Sequence, residues 1–241
     1  MKHSFRVEIS VESAKAAAAA ELGGADRIEL CAELAVGGLT PDIALMAGVR
    51  AAVQIPVFVM IRARAGNFVY SEQEFAAMCA SIRQAENLGM NGVVLGVLTR
   101  ARCIDVSRTR QLVELADGME STFHRAIDES ANVLQALEEL KRTGITRVLT
   151  SGGCSTALEG VAAIEEMVKR ARRKIAILPG AGIVAGNVRE IALRTGATEF
   201  HAGLSTVVGR SPDAARFEEE VRRLVKEVRK LEAGPEYSHA N

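Results

Sequence analysis

A chain of 241 residues with 48% hydrophobic and 25% charged side chains has the composition of a globular protein able to bury a large core. Lys+Arg and Asp+Glu both number 30, so no net field draws it to nucleic acid or to an anionic membrane surface. Aromatic residues make up only 4%, with no Trp, which argues against a base-stacking platform, and no apolar run nears the ~20 residues of a spanning helix.

The predicted elements alternate from the start. A strand over residues 6–10 leads to a helix over 12–22, which Gly23-Gly24 ends, and a second strand covers 27–31. Thr40-Pro41 opens the next helix, with Thr as N-cap and Pro in the first turn. Strand three is expected over 57–64. Ser71 with Glu74 forms a capping box for a helix running to Leu88. Strand four covers 92–98, a helix 106–116 and strand five 120–125. Then come a helix over 132–142, strand six over 147–151, a helix over 156–172 and strand seven over 175–178. Asn187 caps a short helix to Arg194, strand eight covers 198–201, and a long amphipathic helix spans 213–231. Glycines recur before strands, in Leu22-Gly23-Gly24, Leu88-Gly89, Thr143-Gly144 and Thr195-Gly196, once per two β–α units. Eight strands, each followed by a helix, imply a parallel sheet closed into a single (β/α)8 TIM-type barrel over residues 1–233, with a flexible tail at 234–241.

Polar side chains interrupt the apolar strands at matching depth. Strand residues two apart share a face, which pairs Glu8 with Ser10, Glu29 with Cys31, Arg62 with Arg64, Thr122 with His124, and Glu199 with His201. Charges inside a barrel need partners, and barrel sites lie at the C-terminal ends of the strands. The cluster therefore reads either as an ion-pair plug or as a site. In the second reading Glu8 and Glu29 are general acid and base, Arg62 clamps an anion and His124 shuttles protons. Arg125 and Asp128 follow in the same loop, and His201 is a further acid-base candidate. Ser151-Gly152-Gly153 and Gly180-Ala181-Gly182 are turns whose backbone N–H groups suit an anion such as phosphate, or are simply tight turns. Residues 64–68 form a polar loop able to cover the site. The four cysteines, Cys31, Cys79, Cys103 and Cys154, form no CxxC motif and are expected as free thiols in a cytoplasmic protein.

Several blocks in order resemble the CutC family, named for copper homeostasis. They are Gly24-Ala25-Asp26-Arg27-Ile28-Glu29-Leu30-Cys31, Gly37-Gly38-Leu39-Thr40-Pro41, Ile55-Pro56-Val57, Ile61-Arg62, Thr122-Phe123-His124-Arg125-Ala126, Arg147-Val148-Leu149-Thr150-Ser151-Gly152 and Gly180-Ala181-Gly182-Ile183. The resemblance implies a TIM-type barrel, a cytoplasmic location, homo-oligomers and binding of copper as Cu(I). The family's proposed Cu(I) ligands are cysteines ending strands one and two. Cys31 occupies the second position and Ser10 the first. Where the family has Gly-Gly-Asp-Phe, this chain has Ala65-Gly66-Asn67-Phe68. Three readings stay open: a copper-homeostasis protein with Cu(I) at Cys31, an isomerase- or lyase-type enzyme on a small anionic or phosphorylated metabolite, and a scaffold assembling through the final helix.

Overall fold

The computed structural model describes residues 4–209 and 213–232. The expected tail at 234–241 lies outside the described residues. Eight parallel strands form the barrel: β1 (Arg6–Val11), β2 (Arg27–Leu30), β3 (Val57–Met60), β4 (Gly92–Leu95), β5 (Glu120–Phe123), β6 (Arg147–Thr150), β7 (Ala176–Pro179) and β8 (Glu199–Ala202). Ladders run continuously in the order β7-β6-β5-β4-β3-β2-β1-β8, and β8 packs beside β7 to close the ring. The helices are α1 (Ala14–Leu22), α2 (Ile43–Ala52), α3 (Glu72–Asn87), α4 (Val106–Leu115), α5 (Val133–Leu140), α6 (Val161–Ala171), α7 (Val188–Thr195), a short α8 (Ser205–Val208) absent from the sequence reading, and α9 (Ala214–Glu232).

Strand alternation separates two apolar regions. Val7, Ile9, Val11, Ile28, Leu30, Val57 and Val59 belong to the large core between sheet and helices. Cys31, Phe58, Met60 and Val94 form a separate small cluster inside the barrel. Charged and polar residues share the rest of the interior with Leu149 on the cavity wall.

α9 buries Phe217, Val221, Leu224, Val228 and Leu231 and crosses α1 and α7. Arg229 locks it down, donating to both oxygens of Asp26 at 2.7 and 2.8 Å and to the Phe5 carbonyl at 2.6 Å. Its apolar stripe is thus spent on the barrel, and its polar face carries ion pairs three and four residues apart, such as Arg222 with Glu218.

Local signals were partly displaced by tertiary ones. The Ser71–Glu74 capping box forms as expected. The N-cap of α2 is Asp42, not Thr40, because the Thr40 hydroxyl is taken by strand three: it accepts from Arg62 N at 2.8 Å and donates to Arg62 O. That contact draws the backbone of Arg62 out of the ladder, so β3 stops at Met60. Arg62 and Arg64 therefore do not share a strand face. Arg64 turns outward to Glu74, Asn67 and the Val69 carbonyl. Asn187 precedes α7 without capping it; its side chain accepts from Val184 N and donates to the Gly182 carbonyl. No described helix is long and apolar enough to cross a membrane.

Candidate functional site

A chain of ion pairs fills the lower barrel. Glu120 pairs with Arg147 at 2.8 Å, Arg147 with Glu199 at 2.6 Å, Glu199 with Arg27 at 2.9 Å and Arg27 with Glu8 at 2.5 Å. Both guanidinium groups lie over the Phe58 ring, at 4.8 and 5.4 Å. Glu8 is fully buried. Burial alone would raise its pKa, but Arg27 and the His201 hydrogen bond more than offset this and hold the carboxyl far below its ordinary value. Glu8 is thus a carboxylate held ionised below the mouth, which does not favour the general acid or base role expected for it. It meets His201 Nδ1 at 2.8 Å. An ionised carboxylate only accepts, so Nδ1 carries the proton and the ring is held in one orientation. Burial opposes the charge on His201, but Glu29 and Glu8 prevail and raise its pKa.

Above this chain a cavity of about 880 Å³ opens at the C-terminal ends of the strands. Glu29, Arg62, Phe68, His124, Asp128 and His201 line it, with Ser10, Met60, Leu149 and Gly182. Burial, joined by the nearby Glu8 charge, raises the pKa of Glu29. Its Oε1 accepts from the Cys31 thiol at 3.2 Å, and its Oε2 has no hydrogen-bond partner, lying 3.8 Å from His201 Nδ1. Arg62 donates to the carbonyls of Val36, Gly38 and Gly66 through its Nη atoms, which leaves Nε–H without an acceptor.

His124 Nδ1 accepts from Ala126 N at 3.1 Å, so the ring proton sits on Nε2, also without an acceptor. Burial and the neighbouring Arg62 lower its pKa to about 3. His124 is therefore a neutral donor at physiological pH. The tautomer and pKa do not favour the proton-shuttle role first assigned to it. Phe68 binds the two donors together, with its ring centroid 4.9 Å from that of His124 and 4.8 Å from the Arg62 guanidinium carbon. The site needs glycine at 96, where a Cβ would stand 2.4 Å from His124 Cε1.

The two Gly-rich turns differ. In the β6 turn the Asp128 carboxylate accepts from Ser151 N, Ser151 Oγ, Gly153 N and Thr150 Oγ1, and Gly152 N bonds Thr150 Oγ1. Arg125 pairs with Asp128 at 2.9 Å. The anion that this turn binds is the protein's own carboxylate, so Ser151, Gly152 and Gly153 offer no free amide to a ligand. Gly180 N is likewise bonded to the Thr150 carbonyl, while Gly182 lines the cavity.

The CutC family profile matches residues 5–206. A CutC family protein of Xylella fastidiosa strain 9a5c is 46% identical over 208 residues, covering 86% of this chain and 78% of its own. The chain belongs to the CutC family. A human relative, named a copper homeostasis protein cutC homolog, is 45% identical over 199 residues, 83% of this chain and 73% of its own. A crystal structure of CutC from Streptococcus agalactiae superposes with a TM-score of 0.78 at 31% identity, over 82% of this chain and 97% of that one. Thiamine phosphate pyrophosphorylase from Pyrococcus furiosus, with a TM-score of 0.65 at 16% identity, shares the barrel alone.

Within this CutC barrel, Cys31 is fully buried, and burial with the Glu29 charge raises its thiol pKa well above the ordinary value. The thiol is protonated at neutral pH and paired to a carboxylate. Ser10 sits on the cavity wall. Glu8, Glu29 and His201 place donor atoms within 4.8 Å of one another, but two carboxylates and an imidazole suit Cu(I) less than thiolates do. Sequence reasoning missed Arg27, Arg147 and Glu120 as parts of the polar interior. Their signal was charge at the first position of a strand, which read as a strand boundary. Lys15, on α1, also lines the cavity and was not singled out.

Proposed function

We propose that this CutC-family barrel binds a small oxyanionic metabolite in its mouth and transfers a proton on it, as an isomerase- or lyase-type enzyme. The observation that carries this reading is the set of polar atoms without partners around one cavity: Arg62 Nε–H, His124 Nε2–H and Glu29 Oε2. Buried polar atoms normally find partners, and leaving each unpaired costs about 1–3 kcal/mol. A ligand supplies what the protein withholds.

The two donors receive a carbonyl oxygen and stabilise the negative charge that grows on it as a proton leaves the neighbouring carbon. His124 serves as a neutral electrophile. Glu29 takes the carbon proton on Oε2, its burial making it a stronger base than an exposed carboxylate. His201, oriented by Glu8, returns a proton at a second position. Cys31 steers Glu29 by occupying Oε1. The protein works in the cytoplasm as a homo-oligomer in this proposal.

The test is proton–deuterium exchange at carbon, followed by NMR in D2O, over a panel of small hydroxy- and keto-acids and sugar phosphates. Protein-dependent exchange that Glu29→Gln abolishes supports the reading; a panel without exchange sinks it. The human relative's name brings a second reading, copper homeostasis through Cu(I) at Cys31. Its test is anaerobic Cu(I) titration against a competing chelator with Cys31→Ala and Ser10→Cys. Tight binding lost in Cys31→Ala favours copper, and weak binding gained in Ser10→Cys favours the metabolite.

A further inference from the structure

In the β6 turn Ser151 and Gly153 give their amides to Asp128, but in the β7 turn Gly180-Ala181-Gly182 only Gly180 N is bonded among the described residues, to the Thr150 carbonyl. The N–H groups of Ala181, Gly182 and Ile183 have no acceptor among the described residues. Their turn is held from the other side: Asn187 accepts from Val184 N at 2.9 Å and donates to Gly182 O at 2.7 Å, and Ala157 N donates to Ala181 O at 3.0 Å. Ala181 and Gly182 both take left-handed backbone, with φ 77° and 74°. After β8, the N–H groups of Gly203 and Leu204 also lack acceptors among the described residues. These five residues line the same cavity as Lys15, an exposed cation with no ion pair among the described residues. Of the acidic residues around the cavity, Glu12 accepts from Leu34 N at 2.7 Å and Asp128 is held by the β6 turn, while Glu29 and Glu129 also line it.

Free amides alone define no site. The second observation lies at the other strand ends around the same cavity. His124 and Arg62, 4% and 6% exposed, carry N–H groups without an acceptor at full hydrogen-bond geometry, the Tyr70 hydroxyl lying beside the Arg62 guanidinium. Two donor sets on one cavity ask for one ligand with two acceptor groups. Backbone amides in turn conformation, together with a flexible ammonium, suit a compact multiply charged oxyanion. A fixed pair of buried side-chain donors suits a single carbonyl oxygen. We infer that the turns after β7 and β8 form a phosphoryl-binding subsite, and that the substrate is a small phosphorylated carbonyl compound with its phosphate there and its carbonyl at His124 and Arg62. The inference rests on the function proposed above and adds the substrate class to it.

The experiment follows backbone amide and His124 ring resonances of the full chain by NMR during titration with inorganic phosphate and, separately, with malonate as a phosphate-free carboxylate probe. Phosphate is expected to saturate and to shift the amides of Ala181, Gly182, Ile183, Gly203 and Leu204. Lys15→Ala, an exposed change, should weaken that binding roughly two- to fivefold, the scale of one exposed charge contact. Phosphate that leaves these amides unmoved, or moves only the exposed arginines of α9, overturns the subsite. If malonate then still shifts His124, the oxyanion site of the proposed function survives while the phosphate subsite falls. If neither probe moves the cavity, both fall.

Discussion

The lower barrel and its mouth are built from the same residue types with opposite results. Below, Glu120, Arg147, Glu199, Arg27 and Glu8 alternate in sign, and each has an oppositely charged neighbour within 2.9 Å. Above, Glu29, Arg62 and His124 each keep an atom without a partner. The pairing below sustains burial of charge that would otherwise be prohibitive. The missing partners above are a cost the fold carries. Such local violations of polar satisfaction are what a preorganised site looks like before its ligand arrives. Polar residues on barrel strands therefore do not share one role: charge neutralisation separates the plug from the site, where residue type cannot, since even Arg147, whose Nη1 lacks a hydrogen-bond partner, faces two carboxylates.

The sharpest way to break that comparison is to cut the plug. Arg27→Ala strips Glu8 of its guanidinium and takes one of two from Glu199. Removing one member of a buried pair costs about 3–5 kcal/mol. Urea denaturation should show a loss of that size. A loss under about 1 kcal/mol, within the range of an exposed pair, would mean that the chain is incidental to stability. Next in size is Gly96→Ala. Its Cβ would meet His124 Cε1 at 2.4 Å and Nδ1 at 2.5 Å, so overpacking should cost about 1–3 kcal/mol and push the imidazole off its bond to Ala126. Ligand binding at the mouth should fall further than stability does; a variant that keeps full binding would remove His124 from the site.

Much of the barrel was legible because its signals are local. Alternating strand and helix periods, Ser71 with Glu74, and the glycines at 89, 144 and 196, all with positive φ, depend on neighbours within a few residues. The mouth was partly legible, since Glu29, Arg62 and His124 stand as polar residues at the ends of apolar strands. What was not legible depends on register between distant strands. Arg27 meets Glu199 across 172 positions, and only barrel closure makes them neighbours. The same holds for Asp128, whose carboxylate occupies the β6 turn from 23 residues away in sequence and so cancels an anion site that composition alone suggested. The end of β3 was misplaced for a related reason: Thr40 captures the Arg62 backbone from another loop.

Between plug and mouth stands His201, and pH separates its contribution. Its folded pKa is raised above the ordinary 6.5. The stability it adds is complete below that value and is lost as pH rises through the folded pKa. Glu8 runs the other way: its pKa is depressed from 4.5, so its contribution is present above that value and fades as pH falls. From these two groups stability should decline below pH ~4.5 and above pH ~6.5, and the raised pKa of Glu29 adds a decline of its own as pH rises above 4.5. His201→Gln should make the decline above pH ~6.5 shallower and leave the acidic one. A decline above pH ~6.5 as steep in His201→Gln as in the wild type would mean that His201 does not contribute to it.

The smallest expected effect has the opposite sign. Glu29 has its pKa raised, chiefly by burial, so the folded state resists losing its proton. Below the ordinary carboxylate value of 4.5, both folded and unfolded chains hold the proton, and Glu29→Gln should be nearly neutral. As pH rises above that value the unfolded chain ionises first, and the wild type pays for folding with a proton it would otherwise release. Glu29→Gln escapes this penalty. Its stability relative to wild type should grow with pH from near zero at about pH 4. The same variant should lose proton transfer at carbon. A stability gain that is flat from pH 4 to 8 would falsify the raised pKa, and a loss at every pH would move Glu29 from the mouth to the plug.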